Sequence, residues 1–167
     1  MQKYIDFDGV VLDTWEITHA RLLKLGIDLE NEDLIIDYIM NSNWEELLRQ
    51  AKEIKSSLLY LKQMDPSETA ILTKVHSLDE ATAKVHFVRE KEIKLPVVIV
   101  PFETKKTEVV EAKNSILVDD SVRNLDDWQD NDGMPYFFNK NENSLDDWHI
   151  RNIDYPVVRS LKRFVQR

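Results

Sequence analysis

Short apolar runs that alternate with helical stretches constrain the fold of this chain most strongly. The runs are nearly continuous in apolar character, and each is followed by a segment of helical periodicity or by a turn. Such runs are typical of strands that are buried on both faces of a parallel sheet. The sequence therefore predicts an α/β domain with a doubly wound parallel sheet. Its strands are expected at residues 2–7, 70–73, 97–100, 115–119 and 136–138.

The longest helical stretch separates the first predicted strand from the second. Apolar residues recur there at three- and four-residue spacing, from Trp15 to Leu61. We therefore expect a small helical cap over residues 13–65, inserted after the first strand. Residues 1–12 and 66–167 are expected to form the α/β core.

Capping residues predict where several helices begin. Asn43 lies in a polar segment that is expected to cap the third helix of the cap. Ser77 is the expected N-cap of a later helix, and Glu80 is its expected partner in a capping box. Pro156 would occupy the first position of the last helix, where no N–H is needed. The helices outside the cap are expected at residues 78–93, 106–112 and 156–166.

Composition excludes several classes of function. The chain has 167 residues, a formal net charge of −9 and no cysteine. This charge repels phosphate backbones, so we expect no nucleic acid polymer as a partner. The lack of cysteine excludes disulfides, thiolate metal ligands and cysteine nucleophiles, and it is compatible with a cytoplasmic location. No apolar run approaches the roughly 20 residues of a membrane span, and the first residues do not resemble a secretory leader. We therefore expect a cytoplasmic protein with no membrane partner.

An acidic pair follows the first predicted strand. Asp6 and Asp8 lie two residues apart, with Gly9 directly behind them. At a strand end, this spacing suits one carboxylate as nucleophile and metal ligand and the other as proton donor. An acidic pair of this kind is also common in solvated turns and helix caps.

Further polar residues follow later strands in an order that suits phosphoryl transfer. Thr73 and the pair Asp119-Asp120 end predicted strands, and Lys106 lies between them in sequence. The carboxyl ends of parallel strands meet at one edge of a sheet. A hydroxyl and an ammonium can hold phosphoryl oxygens there, while carboxylates and a divalent cation supply the nucleophile and neutralise charge. Asp119-Asp120 alone would more often cap a helix, but its combination with the other elements favours a site.

This order of motifs resembles the haloacid dehalogenase (HAD) superfamily of aspartate-nucleophile phosphatases. It is most similar to the deoxyribonucleotidase-type 5′-nucleotidases of that superfamily. The likeness lies in residues 106–110, which read Lys-Thr-Glu-Val-Val, in residues 116–120, which read Ile-Leu-Val-Asp-Asp, and in Trp128. These stretches are similar to the third and fourth motifs of the group, whereas most of the chain matches only in the order of its motifs.

The resemblance implies a HAD-like core and a role for each motif residue. Asp6 would be the nucleophile that forms an aspartyl-phosphate, and Asp8 would protonate the leaving oxygen and then activate water. Thr73 and Lys106 would bind the phosphate. The implied cofactor is Mg²⁺. The side chains of Asp6 and Asp119 and the backbone carbonyl of Asp8 would bind it, and Asp120 would act on the metal through water or orient its neighbours.

Two lysine positions are left open by the sequence. Lys74 follows Thr73 where many relatives have a small residue, and its ammonium either lies near the phosphate or points to solvent. Lys105 and Lys106 are adjacent, so only one of them is expected to face the site. Thr107 and the valines that follow favour Lys106.

Aromatic residues of the cap are the candidates for contact with the substrate. Trp15 lies just after the first motif and is expected to face the cleft, where it would stack on a nucleobase. Trp44 and Tyr60 are expected to pack the core of the cap instead. The chain has four histidines, and their spacing fits no metal site, so we expect them on helix faces or at the surface.

The expected function is therefore a Mg²⁺-dependent hydrolase of a small phosphorylated metabolite. A nucleoside 5′-monophosphate is the favoured substrate, so the activity would be that of a 5′(3′)-(deoxy)ribonucleotidase. Sugar phosphates or other phosphomonoesters are the alternative substrates. A protein that binds a phosphate ligand without catalysis is the alternative from a different class. The sequence does not determine the oligomeric state.

Overall fold

A computed structural model describes residues 1–141 and 153–165 of the chain. Three α-helices follow the first two strands, strands and α-helices then alternate over residues 52–101, and two short 3-10 helices lie at Lys106–Glu108 and Leu161–Phe164. The strands are β1 (Lys3–Ile5), β2 (Leu12–Asp13), β3 (Lys52–Glu53), β4 (Thr69–Val75), β5 (Val97–Pro101), β6 (Ile116–Asp119), β7 (Met134–Phe138) and β8 (Val157–Val158). The helices are α1 (Thr14–Lys24), α2 (Glu32–Met40), α3 (Trp44–Gln50), α4 (Ser57–Gln63), α5 (Leu78–Glu90) and α6 (Val122–Asp130).

The central sheet has six parallel strands in the order β5-β4-β1-β6-β7-β8. β1 lies inside the sheet, and its Ile5 stands opposite Ile71 on one side and Val118 on the other. β4 and β5 extend the sheet from one side of β1, and β6, β7 and β8 later extend it from the other side. The strand order therefore changes direction at β1. In open α/β sheets, such a change leaves a crevice at the carboxyl ends of the strands.

Both faces of the sheet are buried, which explains the continuous apolar character of its strands. Ile5, Ile71 and Val118 belong to one buried cluster, whereas Leu72 and Leu117 belong to a second. Successive residues of a strand point to opposite faces, so the two clusters lie on the two sides of the sheet. The α/β fold class and the parallel sheet predicted from the sequence are confirmed.

The segment between β1 and β4 is helical, as predicted, and it also carries the small antiparallel pair β2-β3. Its helices α3 and α4 contribute Trp44, Leu47, Leu48 and Leu61 to the same buried cluster that contains Ile5 of the sheet. α3 packs directly against α5. The inserted helices therefore share a hydrophobic core with the sheet, and the division into cap and core domains stays a prediction.

Two of the predicted helix caps are present. The Asn43 side chain accepts a hydrogen bond from the backbone N–H of Glu46, and Ser77 does the same for Glu80. The predicted capping box at Ser77 is wrong in the contact expected of the Glu80 side chain. The Glu80 side chain accepts from the N–H of His76 rather than from the N-cap residue.

The predicted helix at residues 156–166 is wrong. Val157 and Val158 instead form β8, and the N–H of Phe137 in β7 donates to the carbonyl of Pro156 at 2.9 Å. Two consecutive β-branched residues favour a strand beside an available sheet edge. A 3-10 helix follows at Leu161–Phe164, and its two end residues are buried.

Smaller differences affect the elements around the site. The expected helix at 106–112 is only the 3-10 turn Lys106–Glu108, and α6 at Val122–Asp130 was not predicted. β4 extends to Val75, so Thr73 lies inside this strand and not at its end. Within the described part of the chain, no helix combines the length and the apolar character that crossing a membrane requires.

The shared core predicts how the inserted segment contributes to stability. Replacing Leu48, which is 1% exposed, by alanine should lower the free energy of unfolding by about 2–5 kcal/mol, because a cavity forms between α3 and the sheet. The matched control is Leu59→Ala, at a leucine that is 52% exposed, with an expected change of about 0.5 kcal/mol or less. Urea denaturation followed by circular dichroism measures both. Equal effects, or separate transitions for helices and sheet, would contradict the shared core.

Candidate active site

Carboxylates from two neighbouring strands converge at the carboxyl edge of the sheet. Asp6 directly follows β1, and its N–H donates to the carbonyl of Val118 in β6, at 2.9 Å. Asp119 ends β6, and Asp120 follows it. One carboxylate oxygen from each of Asp6, Asp119 and Asp120 lies within 4.8 Å of the others. The parallel register of β1 and β6 thus brings together residues that are far apart in sequence.

Lys106 lies between two of these carboxylates. Its ammonium donates to Asp6 Oδ1 and to Asp119 Oδ2, both at 2.7 Å, and its side chain is 2% exposed. The adjacent Lys105 also lines the cleft, but it pairs with Asp127, which is outside this cluster. Of the two lysines left open by the sequence, Lys106 is therefore the one in the carboxylate cluster.

The orientation of Asp119 is fixed by the start of α6. The backbone N–H of Ser121 donates to Asp119 Oδ1 at 2.8 Å, and the side-chain amide of Asn124 donates to Oδ2 at 3.0 Å. Ser121 is also the N-cap of α6. Because each of these bonds comes from an ordered element, Asp119 is held rigidly beneath the cleft.

Gly9 allows the chain to cross close to Asp120. Its φ angle of +74° lies in the left-handed region, and a Cβ atom at this position would lie 1.9 Å from Asp120 Oδ2. Only glycine tolerates both conditions. The glycine behind the acidic pair therefore brings the first loop against the second acidic pair.

The cluster carries an excess of negative charge. Burial, the charge of Asp119 and the charge of Asp8 raise the pKa of Asp6 to about 7, although Lys106 opposes the shift. Asp120 as a whole residue is exposed to solvent, but its carboxyl group lies in the cleft, where the surrounding protein atoms desolvate it. This desolvation, together with the charges of Asp119 and Asp6, raises the pKa of Asp120 to about 8. For Lys106, burial would lower the pKa, but the two carboxylates that it contacts outweigh burial and raise it.

These donors suit a divalent cation. Three carboxylates face one ammonium, so a hard cation with oxygen ligands would offset the remaining repulsion. In the described part of the chain, this cluster comprises Asp6, Asp119 and Asp120, and the side chain of Asp8 is outside it. For Asp8, the resemblance implied only a backbone carbonyl ligand.

Asp8 lies beside the cluster in different surroundings. Its Oδ1 accepts a hydrogen bond from the Thr14 hydroxyl at 2.7 Å, and its Oδ2 accepts from the Lys84 ammonium at 2.5 Å. Its side chain remains 35% exposed toward the cleft. Asp8 is therefore an accessible carboxylate that is held on both oxygens.

Thr73 and Lys74 point in opposite directions from β4, as the alternation of a strand requires. Thr73 is fully buried, and its hydroxyl lies 3.1 Å from Lys84 Nζ and 3.5 Å from Asp8 Oδ2. Lys74 lines the cleft, and its ammonium donates to the carbonyl of Phe102 at 3.2 Å. Burial and the charges of Lys106 and Arg123 lower the pKa of Lys74. Thr73 thus contacts the buried side of Asp8, and its role as a phosphate ligand stays a prediction.

The carboxylates open into a cleft of about 980 Å³. Trp15 lines it and is 50% exposed, whereas Trp44 lines it but is largely buried. His76 stacks on Phe102 with ring centroids 4.0 Å apart, and both residues also line the cleft. Its remaining wall includes charged residues of α6, namely Arg123, Asp126, Asp127 and Asp130.

Sequence analysis missed several of these residues. His76 lines the cleft, and Lys84 and Glu80 form an ion pair at 2.7 Å beneath it. Glu80 and Lys84 are four residues apart, a spacing that is typical of a solvent-exposed ion pair on a helix. The charge pattern alone therefore does not indicate that both residues are buried. Of the four histidines, His86 is exposed, as expected, and His149 lies outside the described residues.

No protein-family model matches the sequence, and no curated protein matches it. Solved structures do match its fold over nearly the whole chain. D,D-heptose 1,7-bisphosphate phosphatase from Burkholderia thailandensis is 12% identical, with a TM-score of 0.57 over 98% of this chain and 95% of that chain. A haloacid dehalogenase-like family hydrolase from Streptococcus pneumoniae is 11% identical, with a TM-score of 0.56 over 98% and 96% of the two chains.

A third similar structure is a β-phosphoglucomutase from Clostridium difficile. It is 14% identical, with a TM-score of 0.54, and the match covers 97% of this chain and 92% of that chain. The chain has the haloacid dehalogenase-like fold. At these identities the comparison concerns the fold alone, and the nucleotidase-type likeness stays a prediction.

The carboxylate cluster of this HAD-like fold predicts a divalent metal site. Replacing Asp119 by asparagine should weaken Mn²⁺ binding by at least about tenfold, because it removes a buried charged ligand. Electron paramagnetic resonance of free Mn²⁺ measures the affinity, and competition extends the measurement to Mg²⁺. Asp130→Asn is the matched control, since Asp130 is acidic and lies in the same cleft but outside the cluster. Equal losses in the two variants would indicate a general charge effect and contradict a defined site.

Proposed function

We propose that this protein is a metal-dependent phosphomonoester hydrolase that acts through an aspartyl-phosphate on Asp6. One observation carries the proposal: Asp6 meets Asp119 and Asp120 within 4.8 Å, with the Lys106 ammonium 2.7 Å from Asp6, at the floor of an open cleft. A nucleophilic carboxylate, a phosphate-binding cation and ligands for a metal are the groups that such a reaction requires.

Asp6 is the proposed nucleophile. A carboxylate oxygen of Asp6 attacks phosphorus in line, and the bond from phosphorus to the leaving oxygen breaks. Asp6 must be ionised for this step, and the adjacent Lys106 ammonium favours its ionised form. Because Lys106 contacts Asp6 directly, a phosphoryl group on Asp6 would lie beside this ammonium. Lys74, at the side of the cleft, is the proposed second cation for the phosphoryl oxygens.

Asp8 is the proposed acid and base. As a carboxylic acid it gives its proton to the leaving oxygen, which keeps the electron pair of the broken bond. As a carboxylate it then takes a proton from the water that attacks phosphorus. The bond from phosphorus to the Asp6 oxygen breaks in this step, so inorganic phosphate leaves and the Asp6 carboxylate is restored. Its accessible side chain, two residues from the nucleophile, suits both transfers.

Asp6, Asp119 and Asp120 would hold the divalent cation, with the backbone carbonyl of Asp8 as a further ligand by resemblance. When bound, this cation would neutralise charge on the transferring phosphoryl group. Mg²⁺ is the proposed ion, because oxygen donors and space for water suit it. Asn124 supports the site by orienting Asp119.

The comparisons support a phosphoryl substrate in general terms. Two of the similar structures carry names that refer to sugar phosphates, a heptose bisphosphate phosphatase and a β-phosphoglucomutase. Their identities to this chain are low, so they support the reaction class only through the shared fold. The choice of substrate depends on the wall of the cleft.

We favour a nucleoside monophosphate as the substrate because an exposed aromatic side chain lies in the cleft. Trp15 is half exposed, and its indole could stack on a base. A sugar phosphate is the second candidate. The carboxylates of Asp126 and Asp130, which also line the cleft, favour it, since they would accept hydrogen bonds from sugar hydroxyls.

Replacing Asp6 by asparagine should abolish release of phosphate, because the amide is a poor nucleophile. The assay measures inorganic phosphate from p-nitrophenyl phosphate and from a panel of nucleotides and sugar phosphates, with Mg²⁺ and with EDTA. Asp79→Asn, at an exposed aspartate of α5, is the control and should keep wild-type activity. Mass spectrometry excludes deamidation of the new asparagine.

Two outcomes would contradict the proposal. Full activity of a verified Asp6→Asn protein would exclude an aspartyl-phosphate on this residue. A wild-type protein that binds phosphate with Mg²⁺ but hydrolyses no member of the panel would instead support the non-catalytic alternative.

Trp15 provides the test of the substrate class. Trp15→Ala should raise KM for a nucleoside 5′-monophosphate by about tenfold, because a stacking contact of roughly 1–3 kcal/mol is lost. KM for p-nitrophenyl phosphate is the internal reference, and Trp15→Phe, which keeps an aromatic face, is the matched control. An unchanged KM for nucleotides in Trp15→Ala, together with good turnover of sugar phosphates, would favour the second candidate.

A further inference from the structure

A second buried lysine lies beneath the cleft. Lys84 on α5 has no exposed surface, and its ammonium contacts four acceptors. Asp8 Oδ2 lies at 2.5 Å, Glu80 Oε1 at 2.7 Å, the carbonyl of Lys74 at 3.0 Å and the Thr73 hydroxyl at 3.1 Å. The first of these acceptors, Asp8, is the proposed acid and base. Lys84 is therefore a buried residue that contacts a proposed catalytic group directly.

The surroundings of this ammonium are otherwise apolar. Lys84 Nζ lies 5.6 Å from the ring centroid of Phe7 and 5.4 Å from that of Trp44. Removing a charge from water in such a place is costly unless it is paired and fully hydrogen-bonded. Burial alone would lower the pKa of Lys84, but the charges of Asp8 and Glu80 outweigh burial and raise it. The lysine is therefore retained as a cation by its acidic neighbours.

Glu80 anchors the ammonium from the same helix. It precedes Lys84 by four residues, so both side chains lie on one face of α5. The other oxygen of Glu80 accepts from the backbone N–H of His76 at 2.8 Å and lies 3.3 Å from its ring nitrogen Nδ1. Movement of Lys84 away from Asp8 would disturb this set of buried bonds. The ammonium therefore has one preferred position.

Asp8 is held from two sides. Lys84 contacts one oxygen, and the Thr14 hydroxyl at the start of α1 donates to the other at 2.7 Å. These contacts restrict both side-chain torsions of Asp8, although the residue lies in the loop between β1 and β2. A carboxyl group that is held in one rotamer is already oriented for proton transfer to a substrate atom in a fixed position.

We propose that Lys84 is the positioning residue for Asp8 and orients its carboxyl group toward the leaving oxygen of a phosphomonoester. This inference rests on the proposed function. In the step concerned, the bond from phosphorus to the leaving oxygen breaks as Asp6 bonds to phosphorus. The leaving oxygen keeps the electron pair and receives the proton of the Asp8 carboxyl group. Lys84 itself gives up no proton.

The leaving group distinguishes this role from a purely structural one. Departure of p-nitrophenolate needs little protonation, whereas departure of an alkyl alcohol or a nucleoside needs a proton donor. The ratio kcat/KM covers the steps up to formation of the aspartyl-phosphate, so the later hydrolysis does not affect the comparison. A general acid contributes about 10²- to 10⁴-fold to such steps.

The test uses Lys84→Met together with Glu80→Gln, so that no unpaired carboxylate stays at position 80. The substrates are p-nitrophenyl phosphate and the alkyl phosphomonoester that the wild-type protein hydrolyses best. We expect kcat/KM for the alkyl ester to fall by at least about 30-fold, and that for the aryl ester by less than about threefold. Equal losses for both esters would overturn the role of Lys84 and leave the proposed function intact. A wild-type protein that hydrolyses no phosphomonoester would overturn both.

A second variant removes the other contact to Asp8 without leaving a buried charge. Thr14→Val should show the same preference for the aryl ester, in the same direction and with a smaller amplitude. Thr18→Val is its matched control, because Thr18 is also buried in α1 but donates to the carbonyl of Thr14. Lys84→Met could fail to fold both alone and together with Glu80→Gln. In that case, the proposal is overturned if Thr14→Val leaves the ratio of kcat/KM for the aryl ester to that for the alkyl ester unchanged. Thermal unfolding by circular dichroism identifies variants that are merely unstable.

Discussion

The ionic contact of Lys106 with Asp6 and Asp119 is the interaction on which the site depends. Two carboxylates at the ends of β1 and β6 face each other because the strands are parallel neighbours, and their repulsion opposes that arrangement. A buried ammonium at 2.7 Å from both offsets the repulsion. Removing one partner of such a buried group typically costs about 3–5 kcal/mol, because a charge is left uncompensated. The 3-10 turn that carries Lys106 thus ties the segment after β5 to the centre of the sheet.

Two buried lysines give the two carboxylates of the first motif different surroundings. Asp6 is buried against Lys106 and the second acidic pair, whereas Asp8 is partly exposed and lies between Lys84 and Thr14. These residues are only two positions apart, so local sequence alone would not separate their properties. The separation comes from α5 and from the turn before β6, which supply one ammonium each. A nucleophile and a proton-transfer group can therefore coexist at the end of one strand.

The strands and the order of the polar motifs could be predicted because they depend on local pattern. Lys84 could not, since a glutamate and a lysine four residues apart are typical of a solvated helix face. The missed signal was that Lys84 occupies the apolar stripe of α5 between Ala81 and Phe87, at helical spacing. The error at β8 has a related cause. Val157 and Val158 form a strand only because the edge of β7 is available, and that is a tertiary fact.

The shared core restricts how the cleft can change shape. Separating the inserted helices from the sheet would expose Leu47, Leu48 and Leu61, and each buried leucine contributes about 1.5–3 kcal/mol. An opening of that kind is therefore rare at equilibrium. α2 differs because it has no buried residue, although its Ile39 lines the cleft. Displacing α2 exposes far less apolar surface than displacing α3, so adjustment of the cleft to a ligand is expected to involve α2 while Trp44 and the carboxylates keep their positions.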